Sequence, residues 1–212
     1  MKHISTFTSL LLILLTFNPT DGKAQEKRIR GPRLGVDVSG LVWQYVEPDR
    51  FSVAVSADYE IMPAIFSVLE VGRLEVNREK SVFDYKAEGI YGKLGADYNF
   101  LHNKVEAAAK YDMIYGGLRF ATARYSHRAR NIHIQNDYWG NYQAESLSPT
   151  TMQSYWVELV AGIRVEALTN FFLGWSIRGQ VMLFQDKDPR MGTWMIPGYG
   201  KAMENTSLSF TY

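Results

Sequence analysis

The chain has 212 residues and no cysteine, and its 23 Lys and Arg against 22 Asp and Glu leave a formal charge of +1. That balance excludes the basic footprint of a nucleic-acid binder, and without thiols an exported form must be held by its own packing or by a membrane. Aromatic residues make up 14% of the chain, a composition suited to the headgroup level of a bilayer.

At the N-terminus Lys2 and His3 precede the apolar run LLLILL and the small-x-Ala sequence Gly22-Lys23-Ala24. This pattern predicts a secretory signal peptide over 1–24, cleaved after Ala24. The apolar run is too short for a spanning helix, which takes about 20 residues. No cysteine adjoins the site, so a lipid-anchored lipoprotein is excluded. Residues 25–32 read as a polar periplasmic lead-in and 33–212 as the folded domain.

Period-two alternation then begins, the mark of strands whose two faces meet different surroundings. In LGVDVSGLV, Leu34, Val36 and Val38 oppose Asp37 and Ser39. In FSVAVSADYEI, Phe51, Val53, Val55, Ala57, Tyr59 and Ile61 oppose Ser52, Ala54, Ser56, Asp58 and Glu60. The Pro-containing stretch 62–64 predicts a tight turn, followed by a third strand over 65–76 and a fourth ending as GIYGKLGADYNF. The segment LHNKVEAAAKYD allows a helical turn or an early start of strand five, which is plain in MIYGGLRFATARYSH. A long polar connection, 126–151, precedes strands six and seven, which span 154–184 and are joined by ALTN. A second long connection, 185–205, leads to TSLSFTY, a last strand short for a full crossing.

The strands number eight. Short links at 62–64 and 167–170 fall at one end, and the two longest connections at the other. This asymmetry predicts an all-β fold: an antiparallel transmembrane β-barrel with short periplasmic turns, long extracellular loops and both chain ends periplasmic. The polar face carries Asp37, Asp58, Glu60, Glu70, Lys93, Asp97, Arg119, Glu158, Arg164, Glu166 and Arg178 among Gly, Ala and Ser. Small residues mixed with charges of both signs suit a narrow lumen where ions pair with one another. The apolar face is then the lipid face. Aromatics near strand ends (Trp43, Tyr45, Tyr59, Tyr98, Phe100, Tyr155, Trp156, Phe171 and Phe172) are expected to form two girdles.

The stretches LGADYNF, YGGLRFATARYSH, DYWG, WVELVAGIRVEALTNFFLGWSIRGQVML and IPGYG resemble an uncharacterised family of small outer-membrane β-barrel proteins from Bacteroidota. The resemblance covers most of the chain, with 157–183 its most specific part. It implies the outer membrane of a Gram-negative bacterium and a barrel that other members complete beyond the position of Tyr212. It implies no catalytic residues.

The long connections offer three chemistries. Arg124, His127, Arg128 and Arg130 form a basic cluster at the outer rim, suited to lipopolysaccharide phosphates. Met191, Trp194, Met195, Ile196 and Tyr199 give the 185–205 connection an apolar surface of the kind that contacts a protein partner; folding back over the barrel mouth is the other reading. DYWGNYQ offers a second aromatic patch. The sequence thus points to a non-enzymatic structural or accessory subunit of a multi-protein envelope complex, with the barrel-assembly machinery the first host to consider, and to no metal or cofactor. The runner-up is a lipid-modifying or hydrolytic enzyme using Ser126, His127, His133 and Asp137. A small pore comes third, because side chains just fill an eight-stranded barrel.

Overall fold

The stretches of clean alternation form strands in the computed structural model, which describes residues 31–79, 84–101, 111–130, 132–134, 142–144, 147–190, 192–202 and 204–211. The predicted signal peptide and most of the 101–112 segment lie outside the described residues. The strands are β1 (Arg33–Asp37), β2 (Arg50–Met62), β3 (Ile65–Glu79), β4 (Asp84–Asn99), β5 (Met113–Arg130), β6 (Ile132–Ile134), β7 (Tyr142–Ala144), β8 (Leu147–Leu168), β9 (Phe171–Gln185), β10 (Met195–Ile196), β11 (Gly200–Lys201) and β12 (Thr206–Thr211). Eight of them make one antiparallel sheet in the order β1-β2-β3-β4-β5-β8-β9-β12, and β6-β7 and β10-β11 are small hairpins in the two longest connections. β5 runs on to Arg130 and β8 starts at Leu147, so the polar connection predicted over 126–151 is shorter than its composition implied.

Strands β1 and β12 each pair on one side only. The described sheet is therefore an open sheet, not the closed ring that the sequence predicts. It is nevertheless strongly curled. β3 and β9 stand four places apart, which in a flat sheet is roughly 19 Å at the usual strand spacing. Arg178 of β9 nevertheless places Nη1 2.8 Å from Glu70 Oε2 of β3, and Arg33 of β1 lies 6.0 Å from the Phe172 ring of β9. Only a sheet wrapped round on itself brings these side chains together.

Wrapping gives the sheet two unlike faces. The concave face buries Glu70, Lys93, Asp97, Arg119, Glu158 and Arg178. The convex face exposes apolar side chains on every long strand, among them Val55, Leu69, Leu94 (63% exposed), Leu118, Leu159 (69%) and Leu173. Soluble monomers seldom expose apolar patches beyond a few hundred Å², so this surface requires a cover. Outward aromatics cluster as Phe120, Tyr155 and Phe184, as Tyr98 with Phe100, and as Trp175 with Phe210. Trp156, expected in a girdle, is instead fully buried on the concave face, because its register places it beside inward-facing Ser154 and Glu158.

The two tight turns share one device. Ala64 and Asn170 adopt positive φ (69° and 62°), and each backbone N–H donates to a glutamate four residues earlier, Glu60 Oε1 at 3.3 Å and Glu166 Oε1 at 2.8 Å. Glu60 and Glu166, read from sequence as lumen charges, are turn-capping residues. The first strand also departs from expectation. It stops at Asp37, whose Oδ1 accepts the Ser39 N–H at 2.8 Å, an Asx turn that redirects the chain. A helix, α1 (Ser39–Val46), follows.

Candidate functional site

The concave face is the densest collection of charged groups. Lys93 Nζ sits 2.9 Å from Glu158 Oε1 and 3.4 Å from Glu70 Oε1. Arg119 reaches Asp97 Oδ2 at 2.9 Å and Glu70 Oε2 at 3.5 Å. Arg178 bridges Glu70 Oε2 (2.8 Å) and Glu158 Oε2 (3.6 Å). Three carboxylates thus face three cations, all buried, from five strands (β3, β4, β5, β8 and β9). The set is neutral as a whole, the condition under which buried charge is tolerable. Glu158 Oε1 also accepts from Trp156 Nε1 at 2.8 Å and Gln180 Nε2 at 2.7 Å.

A smaller group lies nearer the tight-turn end, where Arg33 Nε donates to Asp58 Oδ1 at 2.6 Å and Arg164 Nη1 lies 3.0 Å from Asp58 Oδ2. Of the eleven lumen charges named from sequence, eight occur in these two groups; Asp37, Glu60 and Glu166 share the inward register and each also accepts a turn N–H at its strand end. Gln180 shares the polar face of 157–180 with Glu158 and Arg178 in the sequence, whereas Arg33 and Trp156 were missed. Each falls on the inward register of its strand, the signal that would have found them.

Beyond the network, toward the long-connection end, the concave face turns apolar: Leu74, Val76, Tyr85, Ala87, Ala121, Ala123, Tyr125 and Met152 are buried there. The β10-β11 hairpin fills this space. Met195, Ile196 and Tyr199 are buried, Tyr199 meets Trp156 edge-on at 5.6 Å, and Gln180 Nε2 donates to Gly198 O at 3.0 Å. The Tyr91 ring lies between Gly72 and Gly198, at either of which a Cβ would overlap it. Trp194 is held by Tyr85 and by the Arg78 guanidinium 3.8 Å from its ring. Met195, Ile196 and Tyr199 thus pack on the sheet's own apolar surface, the folding-back arrangement, and Trp194 lies half-buried at its edge. Met191 lies outside the described residues.

The descent into the mouth is clasped. Asp188 accepts from Arg190 through its side chain (2.9 Å) and backbone N–H (2.9 Å), and Arg190 also donates to Thr150 Oγ1. These bonds hold the Asp188 carboxyl well below the usual carboxylate range. His127 Nε2 lies 3.5 Å from Asp188 Oδ2, and its Nδ1 3.3 Å from Thr193 Oγ1.

His127 thus points inward, whereas Arg124, Ser126, Arg128 and Arg130 alternate with it and point outward. The basic cluster read from sequence is three outward arginines and an inward histidine. The same alternation puts Ser126 and His127 on opposite faces of β5, so they form no nucleophile–base pair. The His133 side chain and Asp137 lie outside the description. Among the described residues no three His, Asp or Glu gather to hold a metal ion.

No curated protein and no solved structure matches the chain. A family model does, over residues 3–212: a domain of unknown function, DUF6048.

Proposed function

The chain belongs to the DUF6048 family, and we propose that it is an integral outer-membrane β-barrel protein, closed by β1 against β12, that serves as a non-enzymatic structural or accessory subunit of an envelope complex. The observation that carries this reading is the inversion of the sheet: apolar side chains outside, neutralised charges within. Lipid is the solvent that such a convex face fits, and only sheets without free edges are stable in it. An interior occupied by the ion-pair network and a mouth filled by the β10-β11 hairpin favour a scaffold over a pore. Ser126 and His127 lie on opposite faces of β5, which gives the hydrolytic reading no support from that pair.

The test is native extraction of the tagged full-length protein from bacterial envelopes in mild detergent, with mass spectrometry of whatever comigrates. The reading expects membrane fractionation and recovery in a defined assembly, whose members would show whether the host is barrel assembly. Release into the soluble fraction without detergent defeats the barrel. Recovery as a lone barrel defeats the subunit role and leaves the barrel standing.

A further inference from the structure

The outward row on β5 has a feature that a generic loop charge lacks. From the tight-turn end its convex residues run Ile114, Gly116, Leu118, Phe120 and Thr122, then Arg124, Ser126, Arg128 and Arg130. Neighbouring strands change character at the same level. On β4, Leu94 and Ile90 give way to Glu88 and Lys86, and on β3, Leu69 and Val71 give way to Arg73 and Glu75. A continuous apolar band thus ends in a charged rim.

Within that rim the carboxylates are already engaged. Glu75 pairs with Lys86 (3.1 Å) and with Arg73 (3.9 Å), and Glu88 pairs with Arg73 (3.6 Å). Asp84 of β4, opposite Arg130 in the register, has an interaction of its own; among the described residues Arg124, Arg128 and Arg130 have neither an ion-pair nor a hydrogen-bond partner, and Gln153 and Thr151 of β8, beside Arg124 and Ser126, are uncharged. Three unpaired guanidiniums therefore stand in a column directly above Phe120 and Leu118. A ligand that satisfies both needs anionic oxygens for the column and hydrocarbon for the band below it. Arginine binds phosphate in a fork that a lysine cannot reproduce.

We propose that Arg124, Arg128 and Arg130 form a binding site for the phosphate groups of a membrane glycolipid whose acyl chains lie on the convex face of β4 and β5. The site rests on the membrane reading above, and its occupant is a lipid in the same leaflet, not free phosphate. His127 is no part of it.

The experiment uses the purified full chain in nanodiscs of zwitterionic lipid, titrated with bis-phosphorylated lipid A and, separately, with lipid A stripped of its phosphates, binding being read by native mass spectrometry. Wild type is expected to retain the phosphorylated form with about tenfold or greater preference, the weight of one charge-assisted hydrogen bond. R124Q/R128Q/R130Q should lose the preference, and inorganic phosphate should compete poorly. Equal retention of the two lipids by wild type overturns the proposal, and needs no variant to fold. An unchanged preference in a folded triple variant also overturns it, as does full competition by inorganic phosphate. Failure of the protein to enter nanodiscs at all counts against the membrane reading, and insertion without phosphate preference counts against the site alone.

Discussion

Glu70 is the residue on which the concave network converges: Lys93, Arg119 and Arg178 all reach its two oxygens. Its loss leaves three buried cations sharing Asp97 and Glu158. Glu70→Gln keeps the shape and removes the charge, so the expected cost is that of breaking a buried pair, about 3–5 kcal/mol. Asp58 offers the contrast. It is served by two arginines whose side chains remain 26% and 19% exposed, so Arg33→Gln leaves it a partner and water nearby, and about 1 kcal/mol or less is expected. Urea unfolding, followed by tryptophan fluorescence, separates the two. Equal losses would mean that the network is not the cohesive unit its geometry implies.

At the scale of elements, the β10-β11 hairpin depends on Gly198. Its φ of +74° lies in the left-handed region, and a Cβ there would overlap the Tyr91 ring. Gly198→Ala is therefore strained twice, by backbone and by contact, at a cost of about 1–3 kcal/mol. Gly192 has nothing within 4 Å of its added Cβ, so Gly192→Ala should be silent. Hydrogen exchange over 186–202 is expected to rise in the first variant and stay at the wild-type level in the second. If both stay protected, the hairpin does not depend on its seat against Tyr91. The clasp above it has a pH signature. Since the bonds from Arg190 lower the Asp188 pKa in the folded state, their contribution is complete above the unfolded value, about 3.9, and fades only as pH falls through the folded one. The carboxyl resonance of Asp188 should titrate well below pH 4, and Arg190→Ala should bring it back up; a wild-type midpoint near 4 would refute the clasp.

Elements were legible where the two faces of a strand differ in chemistry, as in β2, where Phe51 to Ile61 alternate cleanly with Ser52 to Glu60. They were not legible where the faces agree. Leu74, Val76, Ala87 and Ala123 turn apolar side chains into the concave mouth, so alternation fades there, and the counterpart in Ile196 and Tyr199 reads as surface. α1 was hidden for another reason: the Asx turn at Asp37 breaks the strand without breaking the apolar pattern. The charged face could be read, its pairings could not. Which carboxylate meets which cation depends on how β9 swings round to face β3, a consequence of curl and stagger that no single strand encodes.

For the whole molecule, the decisive quantity is the medium against the convex face, and depth along one strand can measure it. Leu159 lies midway along the outward row of β8, with Leu118 of β5 beside it, and is 69% exposed. Gln153 lies on the same row at the charged rim. If water covered this face, Leu159→Arg would be an ordinary surface change worth within about 0.5 kcal/mol. In lipid the arginine must be drawn into hydrocarbon, costing about 2–4 kcal/mol near the midplane and about 0–1 kcal/mol at the interface. The expected result is a gradient: Leu159→Arg strongly destabilising, Gln153→Arg nearly neutral, both measured by reversible unfolding from lipid vesicles. An aqueous convex face predicts no gradient, and it would leave so many exposed leucines without a purpose. The concave network points the same way, since balanced ions brought in from five strands are the filling a narrow interior needs at the level where the strands turn their apolar residues outward.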